Sequence, residues 1–238
     1  MGLLRESKRI RGRIMNAQAQ VIDFGIPAQN DAQDTLSGIW PDFIDSIAGI
    51  EAGQYGNHAE MHSVLQHNMI LMHRVLMSSQ QYRAIFNDNF RKMVRTKYWG
   101  WKSIHEDDQG RAGLFSIFRN YPVPLHDHPE ACGVLMVLQG EVEVEKFTLD
   151  KAYRENPSSG MVELECIERQ LLKPFELSWF GPEEGNIHGL HTRTEQSVML
   201  KVQLQTNAEK SRSWYFPFFN IDEGQSKLKA RRILSNYL

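Results

Sequence analysis

Three histidines in this chain stand at spacings that suit a divalent metal ion. In Pro124-Leu125-His126-Asp127-His128-Pro129 two of them are separated by a single residue, and side chains two apart on an extended strand share a face. They form a ready pair of imidazole ligands, with Asp127 pointing the other way, toward solvent or a backbone partner. A third is offered sixty residues after His128, in the stretch Gly181-Pro182-Glu183-Glu184-Gly185-Asn186-Ile187-His188-Gly189-Leu190-His191. Its Gly and Pro mark a turn, after which a strand is expected from 187 to about 205. His188 is the expected third ligand. His191 lies three residues on, faces the opposite side of a regular strand, and is the alternative. Three neutral imidazoles leave the ion its full charge and open coordination positions. That suits a non-haem iron, and it suits equally a tetrahedral zinc with one bound water.

The segment Val137-Leu138-Gln139-Gly140-Glu141-Val142-Glu143-Val144 turns at Gly140 and then alternates, with Val142 and Val144 on one face and Glu141, Glu143 and Glu145 on the other. This is the pattern of a half-buried antiparallel strand. It places His126 and His128 on one strand of a hairpin that turns at Gly140. The wording His-x-His, then Gly140 twelve residues after His128, then Gly-x-x-His on a later strand, resembles the paired motifs of the cupin barrel. The common cupin pattern carries a Glu five residues after the second His, where this chain has Gly133. A site of three His without that Glu resembles the thiol dioxygenase branch: cysteine dioxygenase, cysteamine dioxygenase and the plant cysteine oxidases. The likeness runs from about residue 97 to 220. It implies a mainly β, jelly-roll-like cupin barrel. It also implies an Fe(II) cofactor, and iron stands ahead of zinc only because of it. The substrates implied are a small-molecule thiol and O₂. The thiol would bind as thiolate beside O₂, and both oxygens would end on sulfur as a sulfinate. The alternatives are a cupin that cleaves carbon–carbon bonds with oxygen, a zinc hydrolase, and a barrel that binds a small molecule without turnover.

The chain departs from the animal cysteine dioxygenase in three places. A Cys that is cross-linked there to a late-strand Tyr falls at Gly133, with Cys132 one residue early. The matching late strand, Glu195-Gln196-Ser197-Val198-Met199-Leu200-Lys201-Val202-Gln203-Leu204-Gln205, holds no Tyr and no Ser-x-His-x-Tyr relay. The Arg that grips the cysteine carboxylate would fall at Gly100, and only Lys102 lies on the same face to replace it. Lys does not reproduce a bidentate Arg fork, so free cysteine is expected to be a poor substrate. The favoured thiol then lacks a carboxylate at that place, or is larger and held by other residues. Candidates for lining the pocket are Tyr98, Trp101, Lys102, Phe118, Arg119, Trp179 and Cys132.

The elements that must position these residues divide the chain into a basic tail and linker (1–30), a helical extension packed on the barrel (31–97), the barrel with its metal site (98–220) and a C-terminal helical tail (221–238). In the extension, Phe43, Ile44 and Ile47 recur at helical spacing. A longer helix is expected from 59 to about 78 with Met61, Val64, Leu65, Ile70, Leu71 and Val75, and another from 80 to 95. His58, His62, His67 and His73 fall in or near the second helix. His58-Ala59-Glu60-Met61-His62 lacks the Glu directly after the first His that a zinc-protease helix requires. Short β runs follow, at 98–104, 112–119, 161–167, 175–180 and 214–219.

With 238 residues the chain can bury a substantial core. Two cysteines are too few for a secreted disulfide framework and favour a reducing, cytoplasmic setting. Lys and Arg number 27 against 29 Asp and Glu, so no global charge draws the chain to nucleic acid or an anionic membrane. No apolar run approaches the roughly 18 residues of a membrane span. The start, Met1 to Arg13, is basic but lacks the apolar stretch of a secretory signal, and Glu6 stands where a myristoylation signal wants Ser or Thr.

Overall fold

In the computed structural model, residues 41, 44, 45, 58–78, 83, 99–107, 110–129, 131–149, 160–181, 186–204, 212–218 and 226–235 are described. The basic tail, Tyr98, most of the first helix and nearly all of the helix expected at 80–95 lie outside them.

The helix α1 (His58–Ser78) is followed by eleven strands: β1 (Gly100–Glu106), β2 (Gly110–Phe118), β3 (Val123–His126), β4 (Gly133–Gln139), β5 (Val142–Leu149), β6 (Gly160–Leu172), β7 (Leu177–Phe180), β8 (Ile187–Thr192), β9 (Gln196–Leu204), β10 (Arg212–Pro217) and β11 (Lys227–Ser235). Five strands form a sheet in the order β1-β2-β9-β4-β7. The other six close on themselves as β10-β11-β6-β5-β8-β3. Closure removes the free edges that an open sheet would expose.

Period-two alternation sorts the side chains into three cores. On one face of the five-stranded sheet, Val134, Met136, Leu200 and Val202 pack with Leu65, Met69, Met72 and Leu76 of α1. Those four helix residues are spaced four, three and four apart, a single stripe. On the sheet's other face, Leu135, Val137 and Met199 meet Val142, Val144 and Leu190 of the closed sheet. A third cluster, with Leu125, Phe147, Ile187, Tyr215 and Leu228, draws only on the six closed strands. The metal-ligand candidates belong to the layer between the two sheets.

Three expectations change. The tail expected to be helical forms β11, because Leu228, Ala230 and Arg232 alternate inward while Lys229 and Arg231 face out, and this strand closes the six-stranded sheet between β10 and β6. The single strand expected from 187 to 205 is two, β8 and β9, in different sheets. Thr192, Thr194 and Ser197 hydroxyls bond one another and the Glu141 carbonyl there and hold the turn between them. The Gly140 turn joins β4 to β5 across the sheets, and the strand with His126 pairs instead with β8 and β10. Gly140 has φ 81°, and a Cβ there would collide with Ser197 Oγ, so only glycine fits the crossing.

Candidate metal centre

The three histidines converge because β3 and β8 pair in register. His126, the last residue of β3, lies directly opposite His188, and directly opposed residues project to the same face. The Asp127 N–H donates to the Ser213 carbonyl at 3.1 Å, which keeps the chain extended for two more residues and brings His128 to that side too. All three are buried. Their ligand atoms lie within 4.8 Å of one another, with ring centroids 4.7 Å, 4.8 Å and 5.0 Å apart. His188, and not His191, completes the trio. His191 is half-buried on the opposite side, across from Glu143.

Hydrogen bonding fixes how two of the rings present themselves. His126 Nδ1 lies 2.8 Å from the Pro124 carbonyl. A carbonyl only accepts, so Nδ1 carries the proton and Nε2 offers its lone pair inward. The Asn186 side-chain oxygen accepts the His128 backbone N–H at 2.6 Å, tying the first motif to the start of β8. His128 Nε2 is 3.0 Å from His126 Nε2, and its Nδ1 faces Arg212 Nη2 at 3.1 Å. Burial, with Lys201 and Arg212 adding to it, pushes His126 down to about 3. Burial and then Lys201 hold His128 well below the ordinary imidazole range. Neutral imidazole is the form that binds metal, so the donor set fits one divalent ion.

Aromatic rings wall this site. Phe180 stacks on His128 at 4.7 Å and tilts against His188 at 5.1 Å. Trp214 stacks on His126 at 5.2 Å, with Trp99 behind it at 6.2 Å. Gly133 is what admits Phe180: a Cβ there would meet Phe180 Cζ at 2.7 Å and the Val202 carbonyl at 2.6 Å. The place where most cupins carry a Glu is thus filled by a phenyl ring from the next strand, and no fourth protein ligand can enter from it. Gly133→Ala should cost about 1–3 kcal/mol through overpacking and reduce metal occupancy by displacing Phe180. Calorimetric melting together with metal analysis checks both, and an unchanged melting temperature with full occupancy would contradict this role.

The pocket candidates scatter. Trp101 stands at the rim, 39% exposed, with Arg111 over its ring at 5.4 Å. Lys102 is exposed and shares the face of its partner Leu114, whose side chain lies in the core under α1, so it points away from the histidines. Phe118 is half-buried at the far end of β2, and Arg119 bonds Glu195 and the Arg193 carbonyl at 2.8 Å each. Trp179 and Cys132 are both buried in the core under α1, which holds no tyrosine among the described residues. Tyr98 lies outside the described residues. His62 is half-buried and His67 exposed. Among the described residues only His126, His128 and His188 gather as a metal set.

Several site residues escaped the sequence reading. Phe180 was overshadowed by its larger neighbour Trp179, although alternation puts only one of the two on the site face. Trp214 and Arg212 follow a polar stretch that offers no periodicity. Lys201 did leave a signal: it is a charge in the middle of an apolar strand that is paired on both sides, by β2 and β4, and lysines are rarely buried without a partner.

Among curated proteins no relative matches the chain. Solved structures similar to it include an uncharacterised protein with a double-stranded β-helix domain from Klebsiella pneumoniae (15% identity, TM-score 0.35, covering 47% of this chain and 81% of that one). Another is a cupin superfamily protein from Desulfitobacterium hafniense (17% identity, TM-score 0.33, covering 47% and 82%). The family model PCO_ADO matches residues 61–230, a span that takes in most of α1, β1 to β10, the start of β11 and all three histidines. The chain therefore belongs to the plant cysteine oxidase/cysteamine dioxygenase family.

Proposed function

We propose that this chain is an Fe(II)-dependent thiol dioxygenase that converts a small thiol to its sulfinate. The observation that carries this reading is the trio of buried, converging histidines in a chain of that family. His126, His128 and His188 would hold the iron. When bound, it would supply the site at which a thiolate and O₂ meet. The reaction balances without a further co-reactant: the thiol takes up both atoms of O₂ on sulfur, and its proton remains as the acidic proton of the product.

The chain's own residues supply binding and exclusion of water. The Pro124 carbonyl orients the His126 ring, and Asn186 anchors the His128 backbone. Phe180 and Trp214 make a dry wall on which a short alkyl thiol can pack, and a water-poor site strengthens every charge interaction inside it. No helix among the described residues is long and apolar enough to cross a membrane. The test is anaerobic purification with Fe(II), followed by oxygen uptake with cysteine, cysteamine, 3-mercaptopropionate and a peptide with N-terminal Cys. Labelled O₂ should place both atoms in the product. If no thiol consumes oxygen, or zinc copurifies and iron supports no turnover, the reading fails.

A further inference from the structure

We propose that Lys201, Arg212 and Arg111 form an anion-binding subsite beside the histidines, and that the thiol taken there carries a carboxylate or sulfonate on a short carbon chain. The subsite is argued independently of the reaction; that its occupant is a thiol rests on the function proposed above.

The three cations come from different strands and face one layer. Lys201 alternates with Leu200 and Val202, which point into the core under α1, so it projects between the sheets. Its Nζ reaches 3.4 Å from His128 Nε2 and lies 5.1 Å from the Phe180 ring centroid. Arg212, from β10, brings Nη2 to 3.1 Å from His128 Nδ1. Arg111 pairs in register with Gln203, two residues from Lys201 on the same face, and reaches its Oε1 at a long 3.4 Å. Arg111 Nε is buried and makes no hydrogen bond.

Charge accounting points to an acidic occupant. Among the described residues no carboxylate pairs with Lys201 or Arg111. The acidic group acting on Arg212 is Asp127, whose two oxygens accept from the Ser213 N–H and the Tyr215 hydroxyl. Gathering three half-buried like charges on one layer is costly unless an anion completes it. Lys and Arg offer only donors, so the layer is short of acceptors. When His128 presents Nε2 to a metal, its proton sits on Nδ1, and Arg212 needs a different acceptor. A ligand carboxylate or sulfonate supplies it, whereas an ammonium group is repelled by all three.

The test uses the full chain, both stripped of metal and loaded with Fe(II) without oxygen, titrated calorimetrically with propionate, 3-mercaptopropionate and cysteamine. Propionate should bind both forms, 3-mercaptopropionate should bind the iron form more tightly, and cysteamine should bind neither form as well. Lys201→Met and Arg111→Gln should each weaken propionate binding about tenfold or more, the scale of one charge-assisted hydrogen bond. Melting curves will show that the variants fold; Lys201→Met removes a half-buried amine that has no carboxylate partner among the described residues and should melt no lower than the parent. In oxygen uptake, 3-mercaptopropionate should exceed cysteamine at least about tenfold in kcat/KM. Absent propionate binding, binding that is seen only with iron and is untouched by Lys201→Met, or a preference for cysteamine overturns the subsite. If propionate binds through Lys201 and no thiol is oxidised, the subsite stands and the thiol reaction falls. If cysteamine is oxidised and propionate ignored, the reverse holds.

Discussion

Under the proposed function, replacing His126, His128 or His188 by alanine should remove bound iron and thiol-dependent oxygen uptake together, while His191→Ala keeps both. The three ligand atoms lie within 4.8 Å of one another, so each carries a third of the coordination that the protein offers. Loss of groups that merely orient a ligand already costs roughly 10- to 100-fold in affinity; loss of a ligand should cost more, leaving occupancy far below one iron per chain. His191 sits across from Glu143 on the other side of β8, and its removal touches none of the three rings. Metal analysis after anaerobic loading, with circular dichroism to show that the variants fold, reads the outcome. Full occupancy in His188→Ala would sink the assignment. So would loss of metal in His191→Ala at unchanged stability.

Much of this centre was legible before any coordinates. The His126–His128 pair announces itself by spacing, and Gly-Asn-Ile-His by its turn, because ligands two apart on extended chain need no tertiary information to share a face. The short alternating runs argue for a sandwich or a barrel, and the resemblance to the cupins is what implies the barrel. What could not be read was which strands pair. The apolar stretch from 187 to 204 has the composition of one strand, yet its polar Arg193-Thr194-Glu195 interruption is where the chain leaves one sheet for the other. The tail misled for a related reason: Leu228, Arg231, Arg232 and Leu234 suit a helix by propensity, while alternation of Leu228, Ala230 and Arg232 wins once β6 and β10 offer pairing partners. The helix stripe was also misassigned in part. Leu65 was expected, but Met69, Met72 and Leu76 make up the rest of the buried face, and methionines carry a weak signal in a helix that already holds Ile70 and Leu71. The cations beside His128, Lys201 and Arg212, come from β9 and β10, so their meeting is a property of sheet order and not of any local motif.

Asp127→Ala should be among the most destabilising single changes in the barrel, although Asp127 is not a ligand. The residue is 6% exposed, and its side chain points away from the two histidines that flank it, not to solvent but into the closed sheet. There it accepts the Ser213 N–H at 2.6 Å and the Tyr215 hydroxyl at 2.9 Å. Arg232 stands 3.9 Å from the same carboxylate and donates Nε to Ser213 Oγ at 3.0 Å. One residue thus ties β3 to β10 and answers the buried charge of β11. Burial, with Asp127 adding to it, raises the Tyr215 hydroxyl above its ordinary range, so it stays a donor throughout the working pH range. Removing the carboxylate leaves the buried Ser213 N–H and Tyr215 hydroxyl without their acceptor and takes a nearby negative charge from Arg232, a loss of about 3–5 kcal/mol. At roughly 2–4 °C per kcal/mol for a chain of this size, the melting temperature should fall by roughly 10 °C. Tyr215→Phe removes one charge-assisted hydrogen bond and should cost about 1.5–3 kcal/mol. Because Ser213 and Trp214 are neighbours on β10, releasing this anchor also loosens the indole stacked on His126, so iron affinity should drop by roughly 10- to 100-fold in Asp127→Ala. A melting temperature within about 2 °C of the parent would show that the β3–β10 seam does not depend on this carboxylate.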